Sequence, residues 1–185
     1  MNPNRKVPVL VDLRSANGPP TVIFESAAIL IYLAEQFRAL LPCTEPARTT
    51  AIQWLMIQAC SVGPMLGQLN HFTFAVTDNA YAHDRYRREA ERLYRLLNQR
   101  LGQTPYLGGE AYSIADIATY PWVLYLERHG FDWQSFPHLD DWRQRIGARP
   151  AVSEGMKAIE AVETADAIAF EAATPEDRDR FFGRR

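Results

Sequence analysis

Glu25-Ser26 is the pair in this sequence whose types and place could do chemistry together. It stands where the apolar run TVIF gives way to the helical pattern of SAAILIYLAEQF. At such a junction the Ser26 amide and hydroxyl can donate to an anion at the positive end of the helix. Taken alone, the same pair also reads as an ordinary serine N-cap with an acidic neighbour. Ser113 and Asp116, in SIAD, pose a similar choice between a catalytic acid and a capping box, and the three-residue spacing favours the capping box, with aspartate in place of the usual glutamate or glutamine. Arg85 lies among Arg87, Arg88, Arg92 and Arg95, a cluster that could meet an anion and that reads as readily as a solvated helix face. The four histidines are scattered, with no His-x-x-x-His pair and no acid at a fixed offset, so no metal site is expected.

The elements that must position these residues fall into two unequal parts. KVPVLVD and TVIFES read as two strands joined by LRSANGPP, whose Asn17-Gly18 and double proline signal a turn, so a hairpin is expected. A helix follows from about Ser26 to Phe37, with Ile29, Leu30, Leu33 and Phe37 at helical spacing. RALLPCTEP reads as a linker. Beyond it the chain looks helical throughout, beginning near Pro46, with Gly63-Pro64 expected to kink or interrupt the first long stretch. A second helix from about Tyr81 to Leu101 carries Tyr86, Ala90, Leu93, Leu97 and Leu101 on one stripe, with Asp84–Arg88 and Glu91–Arg95 pairs on its polar face. Further helices are expected in YSIADIATYPWVLYLERHG, where Pro121 should bend the chain, in HLDDWRQRIGARP and in PAVSEGMKAIEAV. The end, TPEDRDRFFGRR, reads as disordered or as a tail docked by Phe181 and Phe182.

The 185 residues, 47% hydrophobic and 23% charged, suffice for a real core in one domain or two small ones. A net charge of −2 gives no electrostatic reason for a nucleic-acid partner. The longest apolar run, AAILIYLA, is too short to span a bilayer, and the first residues do not resemble a signal peptide, so no membrane partner is expected. Cys43 and Cys60 form neither a C-x-x-C nor a metal-type spacing, which suits a reducing cytosol and a cytoplasmic location.

KVPVLVD, then FESAAILIYLAEQF, then PYLGGEAYSIADIATYPWV, then RPAV resemble the glutathione S-transferases in order and spacing. QWLMIQACSVGPMLGQLNHF and RYRREAERLYRLLNQRL resemble the bacterial nu class, related to the yeast prion-type homologues. The resemblance implies a mostly α fold: a thioredoxin-like α/β half-domain of hairpin plus helix (1–38), a linker (39–45), an all-helical C-terminal domain (46–160) and a charged tail (161–185). Whole family members begin with a βαβ unit of about 30 residues or more. This chain is expected to lack that unit, and with it two strands, a helix and the residue that contacts the glutathione sulfur, leaving the apolar strand at Val7 to Asp12 short of neighbours.

The resemblance also assigns roles. It implies glutathione as substrate or bound ligand, with Val7-Pro8 as the family's cis-proline step, where the backbone before proline meets the cysteinyl part like an added strand; a proline at a strand start is the plainer reading. Lys6 would face the glycine carboxylate, although a lysine before an apolar strand is usually just solvated. Ser26 and Glu25 would hold the γ-glutamyl carboxylate and ammonium. Arg85 matches an arginine that contacts glutathione near the subunit interface of a homodimer. Met65, Gln68, His71, Phe72, Tyr120 and Trp122 are candidates for the second-substrate cleft, though a Met and aromatic stripe is more often core. For Ser113 and Asp116 the family too implies a folding role.

In an intact relative the reaction is thiolate activation. A donor at the sulfur lowers a thiol pKa from about 8.5, and the thiolate attacks a small electrophile or, in the nu class, a disulfide or peroxide. Three readings of this chain are open: a glutathione-dependent enzyme with an upstream βαβ unit, a non-catalytic binding or dimerisation module, or a truncated product that aggregates through its open strand.

Overall fold

A computed structural model describes residues 2–14, 18–76 and 78–181. It is mostly helical, with a two-stranded antiparallel sheet ahead of the helices. Strand β1 (Val9–Asp12) pairs with β2 (Thr21–Phe24), Val9 opposite Phe24 and Asp12 opposite Thr21. β1 begins just after a cis Val7-Pro8 bond. The Asn17 end of the expected turn lies outside the described residues.

Helix α1 (Ser26–Phe37) follows β2 directly and stops at Arg38, whose left-handed backbone (φ 49°) returns its N–H to the last carbonyls. Ala27, Leu30 and Ile31 turn toward the helical core. The linker is seated by one backbone bond, from the Ile114 N–H to the Leu40 carbonyl at 2.9 Å.

The expected kink at Gly63-Pro64 takes another form. Helix α2 (Ala47–Ile57) passes through a π-helical turn, Gln58–Val62, into α3 (Gly63–Asn70), which ends in a second π-helical turn, His71–Ala75. The Gly63 N–H reaches back five residues to the Gln58 carbonyl. The wider turn just ahead of Pro64 accommodates a residue that has no N–H for the ladder, so the helix continues instead of breaking.

Helix α4 (Ala80–Leu101) begins at Asn79, whose side chain accepts the Ala82 N–H at 3.0 Å, satisfying one orphan donor of the first turn. Its stripe of Ala90, Leu93, Tyr94, Leu97 and Leu101 is buried. On the opposite face Arg95 pairs with Glu91, but the pair expected between Asp84 and Arg88 is replaced: Asp84 sits against His83 and Glu89 takes Arg92. Helix α5 (Ile114–Val123) ends two residues after Pro121, and the chain turns through a short 3₁₀ segment, Glu127–His129. Helix α6 (Pro137–Gly147) has proline in its first turn and inserts Leu139, Trp142 and Ile146 into the core, as its period demands.

Helix α7 (Pro150–Ala172) runs on past residue 160, where a tail was expected, and α8 (Pro175–Phe181) follows. The alanines of AVETADAIAFEAA favour helix strongly enough to carry it past the core, and no residue of α7 is buried. The docking expected of Phe181 and Phe182 concerns side chains outside those described. The core sits among α2 to α6: Leu55, Leu66, Leu69, Leu107, Leu139 and Trp142 are fully covered.

Candidate functional site

The first locality is the start of α1. Glu25 holds the cap position with φ 69°, its side chain makes no capping bond, and its carbonyl accepts the Ile29 N–H at 2.9 Å. Ser26 is therefore the first helical residue rather than the cap. The amides of Ser26, Ala27 and Ala28 point out of the positive helix end, where no intrahelical acceptor exists. Glu25 and Ser26 are exposed, as are Lys6, Val7 and Pro8 on the neighbouring approach to β1. A polar clasp ties the strand to the helix: the Tyr32 hydroxyl and the Arg14 guanidinium both donate to the Asp12 carboxylate, at 2.6 Å each. The Arg14 guanidinium, then the Tyr32 hydroxyl, hold that carboxyl well below the usual range.

The second locality is a cavity of about 620 Å³ lined by Met65 of α3 and by Arg85, Tyr86, Arg88, Glu89 and Arg92 of α4. Positions 85, 88, 89 and 92 share one face of an α-helix; Arg92 pairs directly with Glu89 at 2.6 Å, and Arg85 adds to the positive field that lowers the Glu89 carboxyl. Phe72, in the second π turn, stacks on Tyr86 with centroids 5.6 Å apart and planes 9° apart, and His71 packs edge-on to Phe72. Met65, Phe72 and His71 are thus near the arginines.

The other two aromatic candidates go elsewhere. Tyr120 is 9% exposed, packs edge-on against Trp142 and lines a separate apolar cavity of about 330 Å³ with Pro121, Ile146, Val152, Met156 and Ile159. The Trp122 indole lies on α3 at Gly63 and Gly67, where an added Cβ would meet it at 3.5 and 3.7 Å. Side-chain direction, which a stripe of residue types does not report, separates them from Met65.

Asp116 is fully buried. Its Oδ1 accepts from the Leu107 N–H and the Trp142 Nε1–H, and its Oδ2 from the Ser113 N–H and hydroxyl, at 2.9 to 3.0 Å. Burial pushes the carboxyl up while these donors pull it down. With its lone pairs taken, the group ties the start of α5 to α6 and to the Leu107 loop. Spacing alone revealed the box but not the Leu107 and Trp142 bonds, which span 9 and 26 residues.

Residues 53–150 match the family model described as glutathione S-transferase, C-terminal domain. Over 158 residues the chain is 44% identical to the disulfide-bond oxidoreductase YfcG of Escherichia coli strain K12, covering 84% of this chain and 74% of that protein. A glutathione S-transferase domain-containing protein of Dictyostelium discoideum is 42% identical over 161 residues, covering 83% of this chain and 61% of that protein. The crystal structure of a glutathione transferase from Burkholderia graminis, with two glutathione molecules bound per subunit, aligns with a TM-score of 0.77 at 41% identity, covering 83% of this chain and 68% of that one. The chain therefore spans 61% to 74% of the length of these relatives.

Proposed function

The chain belongs to the glutathione S-transferase family, and from that premise we propose that it binds glutathione at the start of α1 and takes part in glutathione-dependent thiol–disulfide exchange. The observation that carries this reading is the uncapped α1 terminus: three amides without intrahelical acceptors, the Ser26 hydroxyl beside them, and an exposed Glu25 carboxylate. That arrangement suits an α-amino acid end, the carboxylate taken by the amides and hydroxyl and the ammonium by Glu25. Val7 and Pro8 offer backbone to the middle of the peptide, and Lys6 offers a charge to its glycine carboxylate.

In the reaction class, a glutathione thiolate attacks one sulfur of a disulfide, a new S–S bond forms, and the second sulfur leaves as thiolate. The name of the Escherichia coli relative, a disulfide-bond oxidoreductase, supports a disulfide over other electrophiles as second substrate. The arginine cavity adds a place for the carboxylates of that substrate, with Arg85 and Arg88 as the cationic side chains. A homodimer meeting across α2 to α4 belongs to the same reading, supported by the exposure of Met56 on α2, Phe74 in the second π turn and Tyr81 on α4. Exposed free Cys43 and Cys60 favour a reducing, cytoplasmic setting. Among the described residues no helix is long and apolar enough to cross a membrane.

Titration calorimetry with reduced and oxidised glutathione tests the assignment. Ser26→Ala and Glu25→Gln are each expected to weaken binding about tenfold, the effect of losing about 1.4 kcal/mol. Equal heats for the three proteins would remove the α1 junction from the site.

A further inference from the structure

His129 closes the 3₁₀ segment after α5 and is 5% exposed. Both ring nitrogens are engaged. Nε2 lies 2.9 Å from Oδ1 of Asn70, an oxygen that only accepts, so Nε2 carries the proton. Nδ1 is then the acceptor for the Tyr94 hydroxyl at 2.8 Å. Burial lowers the imidazole pKa to about 4 and raises that of the Tyr94 phenol, so at neutral pH the ring is neutral and the hydroxyl keeps its proton. The Tyr125 ring stacks on the imidazole at 6.0 Å. The trio joins three distant parts of the chain: the end of α3, the middle of α4 and the turn after α5.

Asn70 is the last residue of α3, immediately ahead of the π-helical turn His71–Ala75. Single π turns are rare inside α-helices. This one leaves the Thr73 hydroxyl buried without a partner, a local cost that an outside anchor must offset. The turn carries Phe72, and Phe72 stacks on Tyr86, a wall of the arginine cavity.

We propose that His129 is a positioning residue for the arginine cavity: its bond to Asn70 fixes the π-helical turn, and the turn sets Phe72 against Tyr86 and so the shape of the cavity. Without the anchor, the turn relaxes toward ordinary α-helix. Narrowing the turn from five-residue to four-residue bonding re-aims the side chains inside it, Phe72 among them, and so loosens the stack on Tyr86. The identity of the cavity's ligand rests on the function proposed above; the coupling from His129 to the turn does not.

Hydrogen exchange on the full chain, resolved to single amides, tests the coupling in wild type, His129→Leu, His129→Gln and Asn70→Ala. The reporter is the Val76 N–H, which bonds the His71 carbonyl at 3.0 Å. His129→Leu and Asn70→Ala are expected to speed its exchange about tenfold more than that of the Leu93 and Leu97 amides in α4. His129→Gln, whose amide can still donate to Asn70, should restore most of the protection. Uniform acceleration across these amides, or none at Val76, would overturn the proposal. Asn70 is only half-buried, so Asn70→Ala gives the answer if His129→Leu does not fold. In the same proteins, calorimetry with glutathione disulfide should show about tenfold weaker binding for His129→Leu and near wild-type binding for His129→Gln. If wild type binds no glutathione disulfide, the proposed function fails, while exchange at Val76 still decides the role of His129.

Discussion

From Ala51 to Ile146 this molecule buries leucines, tyrosines and a tryptophan almost completely, whereas in the hairpin and α1 the one buried hydrophobic residue among those described is Ala34. The two regions are held by different forces. In the helical bundle, apolar area removed from water dominates, at about 25 cal/mol per Å², and its polar exceptions, Asp116 and the His129 trio, are hydrogen-bonded inside. The hairpin and α1 add to the core contacts of Ala27, Leu30 and Ile31 a ladder of four residue pairs, the Asp12–Arg14–Tyr32 clasp, the Glu35–Arg48 ion pair and the Leu40–Ile114 bond. The α1 junction proposed to meet glutathione lies in the second region, and only the proposed arginine cavity lies in the first. Stability and recognition are therefore divided along the chain, and substitutions should sort accordingly.

The largest effect should follow Asp116→Ala, which strips the acceptor from four buried donors, the Leu107 and Ser113 N–H groups, the Ser113 hydroxyl and the Trp142 indole. Unsatisfied buried donors cost about 1 to 3 kcal/mol each, so urea unfolding should show a loss of about 4 kcal/mol. A loss below about 1 kcal/mol would mean that the bundle does not depend on its polar interior.

Acid should expose the His129 trio next. The folded imidazole titrates at about 4 and an unfolded histidine near 6.5, so the unfolded chain takes up the proton first as pH falls. The stability this residue contributes is complete above about pH 6.5 and drains away toward pH 4, by about 3 kcal/mol in all. Denaturant titrations at pH 7.5 and 4 should show wild type losing that much more than His129→Gln, a difference in which the carboxylates common to both proteins cancel.

Smaller still is the response expected at the α1 junction. Ser26 makes no capping bond, so Ser26→Ala should move the unfolding midpoint by no more than about 0.5 kcal/mol while weakening glutathione. A larger shift in stability would make Ser26 part of the fold and blur the division. Least of all should come from Val11→Thr, on a strand face 42% exposed. A change within about 0.3 kcal/mol is expected, and a large one would show that the hairpin has a covered face.

Much of this architecture is legible in the residues. The α4 stripe, the SIAD box and the α1 start rest on local periodicity and capping, which act over three or four positions. The two π turns are not legible, because shifting a bond from four residues to five leaves no mark in composition. Gly63-Pro64 announced a disturbance, but its form depended on where the chain could widen. His129 read as one of four scattered histidines because its partners lie 35 and 59 residues away. The chain after residue 160 reads as a charged tail, yet its alanines carry α7 on to Ala172. At the site, Glu25-Ser26 could be found by position. Arg88 and Arg92 read as readily as solvated surface, but their spacing from Arg85 puts them on one face, which lines the cavity.

The bond between the Leu40 carbonyl and the first amide of α5 makes the linker a ruler. Arg38 and Leu40 are both held in left-handed backbone, at φ 49° and 64°, so the three residues after α1 form a set length of chain rather than slack. One residue inserted there would add about 3.8 Å of contour, and either the α5 amide loses its acceptor or α1 slides along the bundle. The residues between Phe37 and Ile114's partner thus fix, by their number more than their type, how the start of α1, where glutathione binding is proposed, stands over the helical domain.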